Sequence, residues 1–282
     1  MERREGSGST ASGGNSFATE RGDREERERG ESLSGAELVN PYRSDGGKGE
    51  QVEEMFDSIA PAYDFMNTAM TLGLHRRWRD KALKAASARI SSPENILDIA
   101  TGTGDVAFRL AELYPDARIK GVDLSEGMLK IAADKLSSMP ENIRERVSFE
   151  PGDSLALTFG DNSFDIITVA YGVRNFEHLR QGIAEMCRVL RPGGVLCIIE
   201  LSVPVNPVLK FGYKIYANHV IPAIGRMVSG DSRAYRYLPE SIAAAPQRDE
   251  MGTILNDCGF EDIKWKSLTL GAVTYYIAQK NV

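Results

Sequence analysis

The chain has 282 residues, 42% of them hydrophobic and 26% charged, with a formal net charge of -6, which allows one sizeable core and gives no general electrostatic reason to bind nucleic acid. Cys187, Cys197 and Cys258 form no CxxC pair and His75, His178 and His219 are scattered, so neither a disulfide scaffold nor a metal site is supported, and each histidine reads as structural. No apolar run reaches the ~18 residues of a membrane span and the N-terminal stretch lacks a secretory apolar core, so a reduced, cytoplasmic protein is expected.

Residues 1–50 are rich in Gly, Ser, Glu and Arg and poor in apolar side chains, a composition that does not offset the entropy of ordering; a disordered tail is expected there. Val52, Met55, Phe56 and Ile59 recur at helical spacing and predict an amphipathic helix that Pro61 ends. The break from Ala60 to Asn67 carries Tyr63 and Asp64, and reads equally as the lining of a site or as a connection in which Tyr63 packs and Asp64 caps. A helix over Leu74 to Arg89 sets Trp78 among Arg76, Arg77, Arg79, Lys81 and Lys84, a solvated face or a cationic patch for anionic lipid headgroups.

From Ile96 onward strand and helix alternate. The run Ile96 to Ile99 meets a turn at Gly102 and Gly104, then a helix with Val106, Phe108, Leu110 and Leu113. A strand from Ala117 to Val122 ends in Asp123, and Ser125 caps a helix from Glu126 to Leu136. A third strand, Val147 to Glu150, runs into Gly152, Asp153 and Ser154. A fourth, Phe164 to Val169, ends at Ala170-Tyr171-Gly172-Val173-Arg174-Asn175. Leu179, Ile183, Met186 and Leu190 mark a helix before the strand Val195 to Glu200. The apolar stretch Val203 to Val228 is either a lid for a greasy substrate or packed core helix. A helix from Gln247 to Cys258 and strands Ile263 to Leu268 and Val273 to Ala278 close the chain as a hairpin, completing seven strands in an α/β fold.

The loop Gly102-x-Gly104-x-x-Ala107 satisfies the dinucleotide fingerprint, and the charges around it separate two ligand classes. Asp98 and Asp105 flank it; two anions there would repel a pyrophosphate and suit a cationic ligand such as the ammonium and sulfonium of S-adenosylmethionine. Their structural reading is a strand-end cap and a helix N-terminal acid. Asp123 stands nineteen residues after Gly104, where a second-strand acid accepts ribose hydroxyls. Asp153 is a candidate partner for an adenine amino group or an ordinary turn residue, and Arg174 and Asn175 are candidates for substrate contact.

Five stretches carry a family resemblance: Phe56-Asp57-Ser58-Ile59-Ala60-Pro61-Ala62-Tyr63-Asp64, Ala100-Thr101-Gly102-Thr103-Gly104-Asp105, Tyr171-Gly172-Val173-Arg174-Asn175, Leu190-Arg191-Pro192-Gly193-Gly194, and Tyr235-Arg236-Tyr237-Leu238-Pro239-Glu240-Ser241-Ile242. From about Val52 to Lys280 the chain resembles class I S-adenosylmethionine-dependent methyltransferases, and more narrowly the menaquinone/ubiquinone biosynthesis C-methyltransferases, which methylate a prenylated quinol ring. The resemblance implies a Rossmann-like seven-stranded sheet with helices on both faces and a helical cap from about 51–89 and 203–245. It implies cofactor contacts at Thr103, Asp123, Asp153 and Ser154, with Ala170 where some relatives carry Ser; Asp98, Gly102 and Gly104 complete the expected cofactor set.

Activated methyl transfer requires no metal, and calls chiefly for alignment and for a stabiliser of the ring oxygen. Arg174 is expected in that role, with Asn175, Tyr63, Asp64 and Tyr237 orienting the ring. Demethylmenaquinol is the expected acceptor, a ubiquinone-pathway benzoquinol or a sterol being the alternatives. An NAD-dependent oxidoreductase and a non-catalytic binding module are the rival classes. A prenylated substrate also implies transient contact with the inner face of the membrane. No nucleic-acid partner is expected, and a homodimer is left open.

Overall fold

The computed structural model describes residues 34–42, 46–221, 223 and 234–282. Its centre is a seven-stranded sheet in the order β3-β2-β1-β4-β5-β7-β6. The strands are β1 (Asn95–Ile99), β2 (Arg118–Asp123), β3 (Val147–Pro151), β4 (Phe164–Ala170), β5 (Leu190–Leu201), β6 (Phe260–Leu268) and β7 (Val273–Lys280). β1 to β5 pair in parallel, whereas β7 runs antiparallel to both of its neighbours. The central strands are mainly apolar and buried because helices cover both faces, and side chains alternate between the two cores. Ile96, Ile166 and Cys197 face one core with Trp78, Leu83, Val106 and Leu110; Leu97, Ile167 and Ile198 face the other with Ile183, Met186 and Leu255.

The helices are α1 (Lys48–Ile59), α2 (Tyr63–Thr71), α3 (Leu74–Ser87), α4 (Asp105–Leu113), α5 (Glu126–Ser137), α6 (Glu141–Arg144), α7 (Leu179–Val189), α8 (Pro207–Ile215), α9 (Ala234–Ala244) and α10 (Asp249–Asp257). A third apolar cluster joins α1, α2, α5, α9 and the π-helical turn Tyr216–Val220 through Met55, Ile59, Met66, Met128, Ala217 and Tyr235. It roofs the carboxyl edge of the sheet and forms the helical cap. Ser125 caps α5 as expected, its hydroxyl accepting from the Met128 amide at 3.1 Å.

Four expectations are corrected. Residues 1–33 lie outside the described residues, but the last part of the expected tail is held down: the Lys48 ammonium, 3% exposed, donates to the carbonyls of Ala36, Arg174 and Phe176. Glu37 accepts from the Leu179 amide at 2.8 Å. These polar ties act together with the buried Ala36 and Tyr42, and the composition of the stretch as a whole does not reveal them. The break after α1 is confined to the 3₁₀ turn Ala60–Ala62, so Tyr63 and Asp64 sit in the first turn of α2. Leu190 already pairs with Phe164, and the chain bulges before resuming at Val195 opposite Ile166, so β5 begins earlier than its apolar run suggests. Helix α9 falls inside the expected helical cap of about 203–245, but its bounds were not drawn from periodicity, because Pro239 lies inside it. In the stretch Val203 to Val228, residues 222 and 224–228 lie outside the described residues.

Gly104 precedes α4 at φ +82°, and a Cβ there would lie 2.8 Å from Phe149 Cζ and 2.9 Å from Phe108 Cε2. Both rings belong to the packed core, so neither can withdraw freely. Gly104→Ala should destabilise the fold by about 2 kcal/mol or more, combining a left-handed backbone with overpacking, and is read from the denaturant midpoint.

Candidate active site

β1 and β4 are adjacent, yet their chains leave the sheet toward opposite faces: α4 packs in one core and α7 in the other. A crevice opens where they part, the usual ligand position in open α/β sheets. Both exits turn through left-handed residues that are not glycine, Ala100 at φ +51° and Tyr171 at φ +62°. Such conformations cost on the order of 1–2 kcal/mol each and concentrate at functional edges. Ala100 and Tyr171 line the crevice together with Gly102, Asp123, Ser154, Ala170 and Asn175.

Asp123 closes the end of β2 and faces this cleft. Its Oδ2 accepts from the Gly102 amide at 2.7 Å and its Oδ1 from the Ser125 amide at 3.0 Å. Burial raises its pKa, and hydrogen bonds from the Ser125, Gly102 and Leu124 amides act in the opposite direction. The carboxylate keeps further acceptor capacity.

A second, larger cavity of about 560 Å³ adjoins the first, and the side chains of Phe56, Tyr63 and Tyr171 line both. Its walls are mainly apolar and aromatic, among them Met66, Trp78, Tyr213, Tyr216 and Tyr237. The tyrosines Tyr63, Tyr171, Tyr213 and Tyr237 have pKa values raised by burial and stay protonated at neutral pH.

Arg174 lines the large cavity at 7% exposure, and its Nη1 donates to Glu200 Oε1 at 2.7 Å and to the Tyr171 carbonyl. Glu200 is itself buried at the end of β5, and its Oε2 accepts from the Arg174 amide at 3.3 Å. The guanidinium Nε is buried without a partner, as is the Tyr171 hydroxyl. Asn175 accepts from the Tyr237 hydroxyl at 2.9 Å, which fixes its amide at the edge of the cleft.

The structure therefore brings Gly102, Asp123, Ser154, Ala170 and Asn175 to the cleft and Arg174 and Tyr237 to the large cavity, with Tyr63 at the junction. It gives the remaining expected site residues other surroundings. Asp98 is buried behind the loop, its oxygens accepting from Thr101 and Thr168 hydroxyls at 2.6 Å each, and desolvation raises its pKa to about 6. Asp105 pairs with Arg79 and Lys135, each at 2.9 Å. Asp64 receives the Thr103 hydroxyl at 2.7 Å and pairs with Lys135 at 2.5 Å. Asp153 turns back to the Leu155 amide at 2.9 Å. None of these four carboxylates, nor Thr103 or Gly104, lines either cavity. The reading of Asp98 and Asp105 as a bare anionic pair is thus corrected: one is held by hydroxyls and the other is neutralised by two cations.

Glu200, Tyr171 and His75 were not among the expected site residues, although all three border or support the large cavity. Glu200 had a signal in the sequence, since a carboxylate closing the apolar strand Val195 to Ile199 needs a buried partner. His75 had none, because a histidine on a charged helix is an ordinary surface pattern.

The ubiE/COQ5 methyltransferase family profile matches residues 45–280. Demethylmenaquinone methyltransferase of Bacteroides fragilis is 45% identical over 245 residues, spanning 86% of this chain and 98% of that one. A ubiquinone/menaquinone biosynthesis C-methyltransferase UbiE of Geobacter sulfurreducens is 40% identical over 236 residues, spanning 83% and 90%. Among solved structures, phosphoethanolamine N-methyltransferase 2 of Haemonchus contortus in complex with S-adenosyl-L-methionine superposes with a TM-score of 0.54 at 16% identity, covering 72% of this chain and 53% of that one, a likeness of fold. A profile match running through nearly every described element, and relatives aligned over almost their full lengths, establish that this chain belongs to the ubiE/COQ5 methyltransferase family.

Proposed function

We propose that this protein transfers the methyl group of S-adenosylmethionine to a ring carbon of a prenylated quinol, converting demethylmenaquinol to menaquinol. The observation that carries this reading is the shared wall: a narrow polar-ended cleft meets a large apolar cavity across Phe56, Tyr63 and Tyr171. Two reactants of opposite character can meet there with bulk water kept out. The names of the Bacteroides and Geobacter relatives support a quinone-pathway acceptor.

The cleft fits the methyl donor. A Cβ at Gly102 would project toward the Tyr63 ring, 3.9 Å from Cε1, so glycine keeps open the space between two walls of the cleft. Asp123 holds the loop through the Gly102 and Ser125 amides and keeps acceptor capacity for a ribose diol. Ser154 and Ala170 supply a small polar and a small apolar wall. A dinucleotide is disfavoured, because the N-terminus of α4, where a pyrophosphate would lie, is filled by the linked side chains of Thr103, Asp105, Asp64 and Lys135. When bound, the donor supplies a methyl group already activated on a positively charged sulfur.

The chain's own residues then have to position the ring and stabilise the oxygen that becomes phenolate-like. Arg174 remains charged because Glu200 compensates it, and its unpartnered Nε–H makes it the natural donor to that oxygen. Asn175, fixed by Tyr237, and the protonated Tyr63 orient the ring at the junction. Asp98 and Asp64 act behind the site, the first shaping the glycine loop and the second tying α2 to it.

The described residues contain no helix long and apolar enough to cross a membrane. Helix α8 has no buried residue and exposes Val208, Phe211 and Ile215 beside Lys210 and Lys214, while Leu72 and Val220 are exposed at the rim of the large cavity. This rim suits transient insertion into an anionic bilayer surface, from which a polyprenyl tail would enter.

Purified protein supplied with deuteromethyl S-adenosylmethionine and reduced demethylmenaquinone should yield ring-labelled menaquinol by mass spectrometry; labelling only of a benzoquinol or sterol would reassign the acceptor, and selective retention of NADH would overturn the reading. Asp123→Ala should weaken S-adenosylhomocysteine binding by about tenfold or more in calorimetry, the cost of losing charge-assisted hydrogen bonds. Flotation with anionic vesicles should carry the protein at low salt, less at high salt, and much less for Phe211→Glu; flotation unchanged in that variant would remove α8 from the contact.

A further inference from the structure

The large cavity contains a histidine that the assignment of Arg174, Asn175 and Tyr63 leaves without a task. His75 lies in the first turn of α3, is 6% exposed, and lines the cavity with Thr71, Leu74 and Trp78. Its Nδ1 stands 2.7 Å from Thr71 Oγ1. The Thr71 hydroxyl donates its single proton to the Asn67 carbonyl at 2.6 Å, an atom that can only accept. Thr71 Oγ1 must therefore accept from His75, which places the proton on Nδ1. The ring is left with an unprotonated Nε2 that has no hydrogen-bond partner among the described residues, in a cavity where burial raises the pKa values of Tyr63, Tyr171, Tyr213, Tyr216 and Tyr237 and keeps them protonated.

We propose that His75 Nε2 is the proton acceptor for the acceptor ring's hydroxyl, with Thr71 and the Asn67 carbonyl as the relay that fixes its tautomer. This rests on the quinol reading above. As the hydroxyl proton passes to Nε2, the ring carbon beside that oxygen forms its bond to the methyl carbon, and the methyl–sulfur electron pair leaves with sulfur. The methylated carbon then loses its proton to water, the ring regains aromaticity, and the imidazolium returns its proton to the ring oxygen. One proton is released to solvent for each methyl group transferred, and no oxidant or reductant is consumed. Arg174 and His75 thereby divide the work, one stabilising negative charge on an oxygen and the other removing the proton that creates it.

The surroundings favour the neutral ring at physiological pH. Burial lowers the His75 pKa below 6.5, and Arg79 and Arg76 on the same helix act in the same direction; Asp105 at the start of α4 and Asp64 on α2 oppose them but are themselves paired with cations. Across the cavity, Arg174 is compensated by Glu200. Turnover should therefore hold through neutral pH and fall only as acid protonates Nε2.

Two measurements test this. In ¹⁵N-histidine NMR of the full chain near pH 7, His75 should appear as the neutral Nδ1–H tautomer; an Nε2–H tautomer or an imidazolium would overturn the proposal without reference to any substrate. His75→Asn keeps an amide N–H for Thr71 but no basic nitrogen. It should retain S-adenosylhomocysteine affinity and thermal stability, lose about 100-fold or more in kcat, and lose the acidic limb of the kcat profile. An active wild type with an equally active variant would remove His75 from the reaction, whereas a wild type inactive on every reduced quinol would overturn the quinol reading itself.

Discussion

The structure turns on a topological constraint: two neighbouring parallel strands, β1 and β4, must send their chains to opposite faces of one sheet. Neither of the helices that follow these strands can then cover the carboxyl edge between them, and the floor of the gap is lined by the turns themselves. The left-handed Ala100 and Tyr171 are the local cost of making those turns tightly. Their backbones bend away from the edge, and what they leave open is the crevice that receives Asp123 from one side and Asn175 from the other.

Charge at this edge is handled by compensation. Arg174 and Glu200 are both deeply buried, and such a pair is retained only where its remaining donors and acceptors are engaged or have a use. The Arg174 Nη1 also reaches the Tyr171 carbonyl and the Glu200 carboxylate also accepts from the Arg174 and Leu201 amides, whereas the guanidinium Nε has no partner. The same pattern recurs around the glycine loop, where Lys135 bridges Asp105, Asp64 and Thr103 and thereby fastens α5, α4 and α2 to one another. The cap over the large cavity is thus tied to the sheet by ion pairs and hydrogen bonds close to the donor cleft. Loosening that network would disturb both cavities together.

The apolar cavity and its exposed rim follow from the same economy of material. Helix α8 and the π-helical turn after it lay Tyr213, Tyr216 and Ile221 against the cavity, while Val208, Phe211 and Ile215 remain outward. The described part of this stretch thus presents one side to the cavity and another outward. The cationic helix α3 is similarly divided: Arg79 pairs inward with Asp105, Trp78 reaches Thr269, and Arg76 and Arg77 remain exposed.

Period and punctuation in the sequence determined the seven strands, most of the helices, the Ser125 cap and the placement of Asp123, Arg174 and Asn175 at the sheet edge, because each depends on neighbours within a few residues. Family motifs pointed to the chemistry for the same reason. Only the tertiary structure decided which carboxylates line the cavities: Asp98, Asp105, Asp64 and Asp153 were all candidates alongside Asp123, yet their partners, Thr168, Arg79, Lys135 and the Leu155 amide among them, hold them away from the cavities. The Arg174–Glu200 pair, the anchoring of residues 34–42 and 46–49 through Glu37 and Lys48, and the contact between His75 and Thr71 were likewise decided in space. A charge or a proton is placed by what surrounds it in space, and much of that surrounding comes from distant parts of the chain.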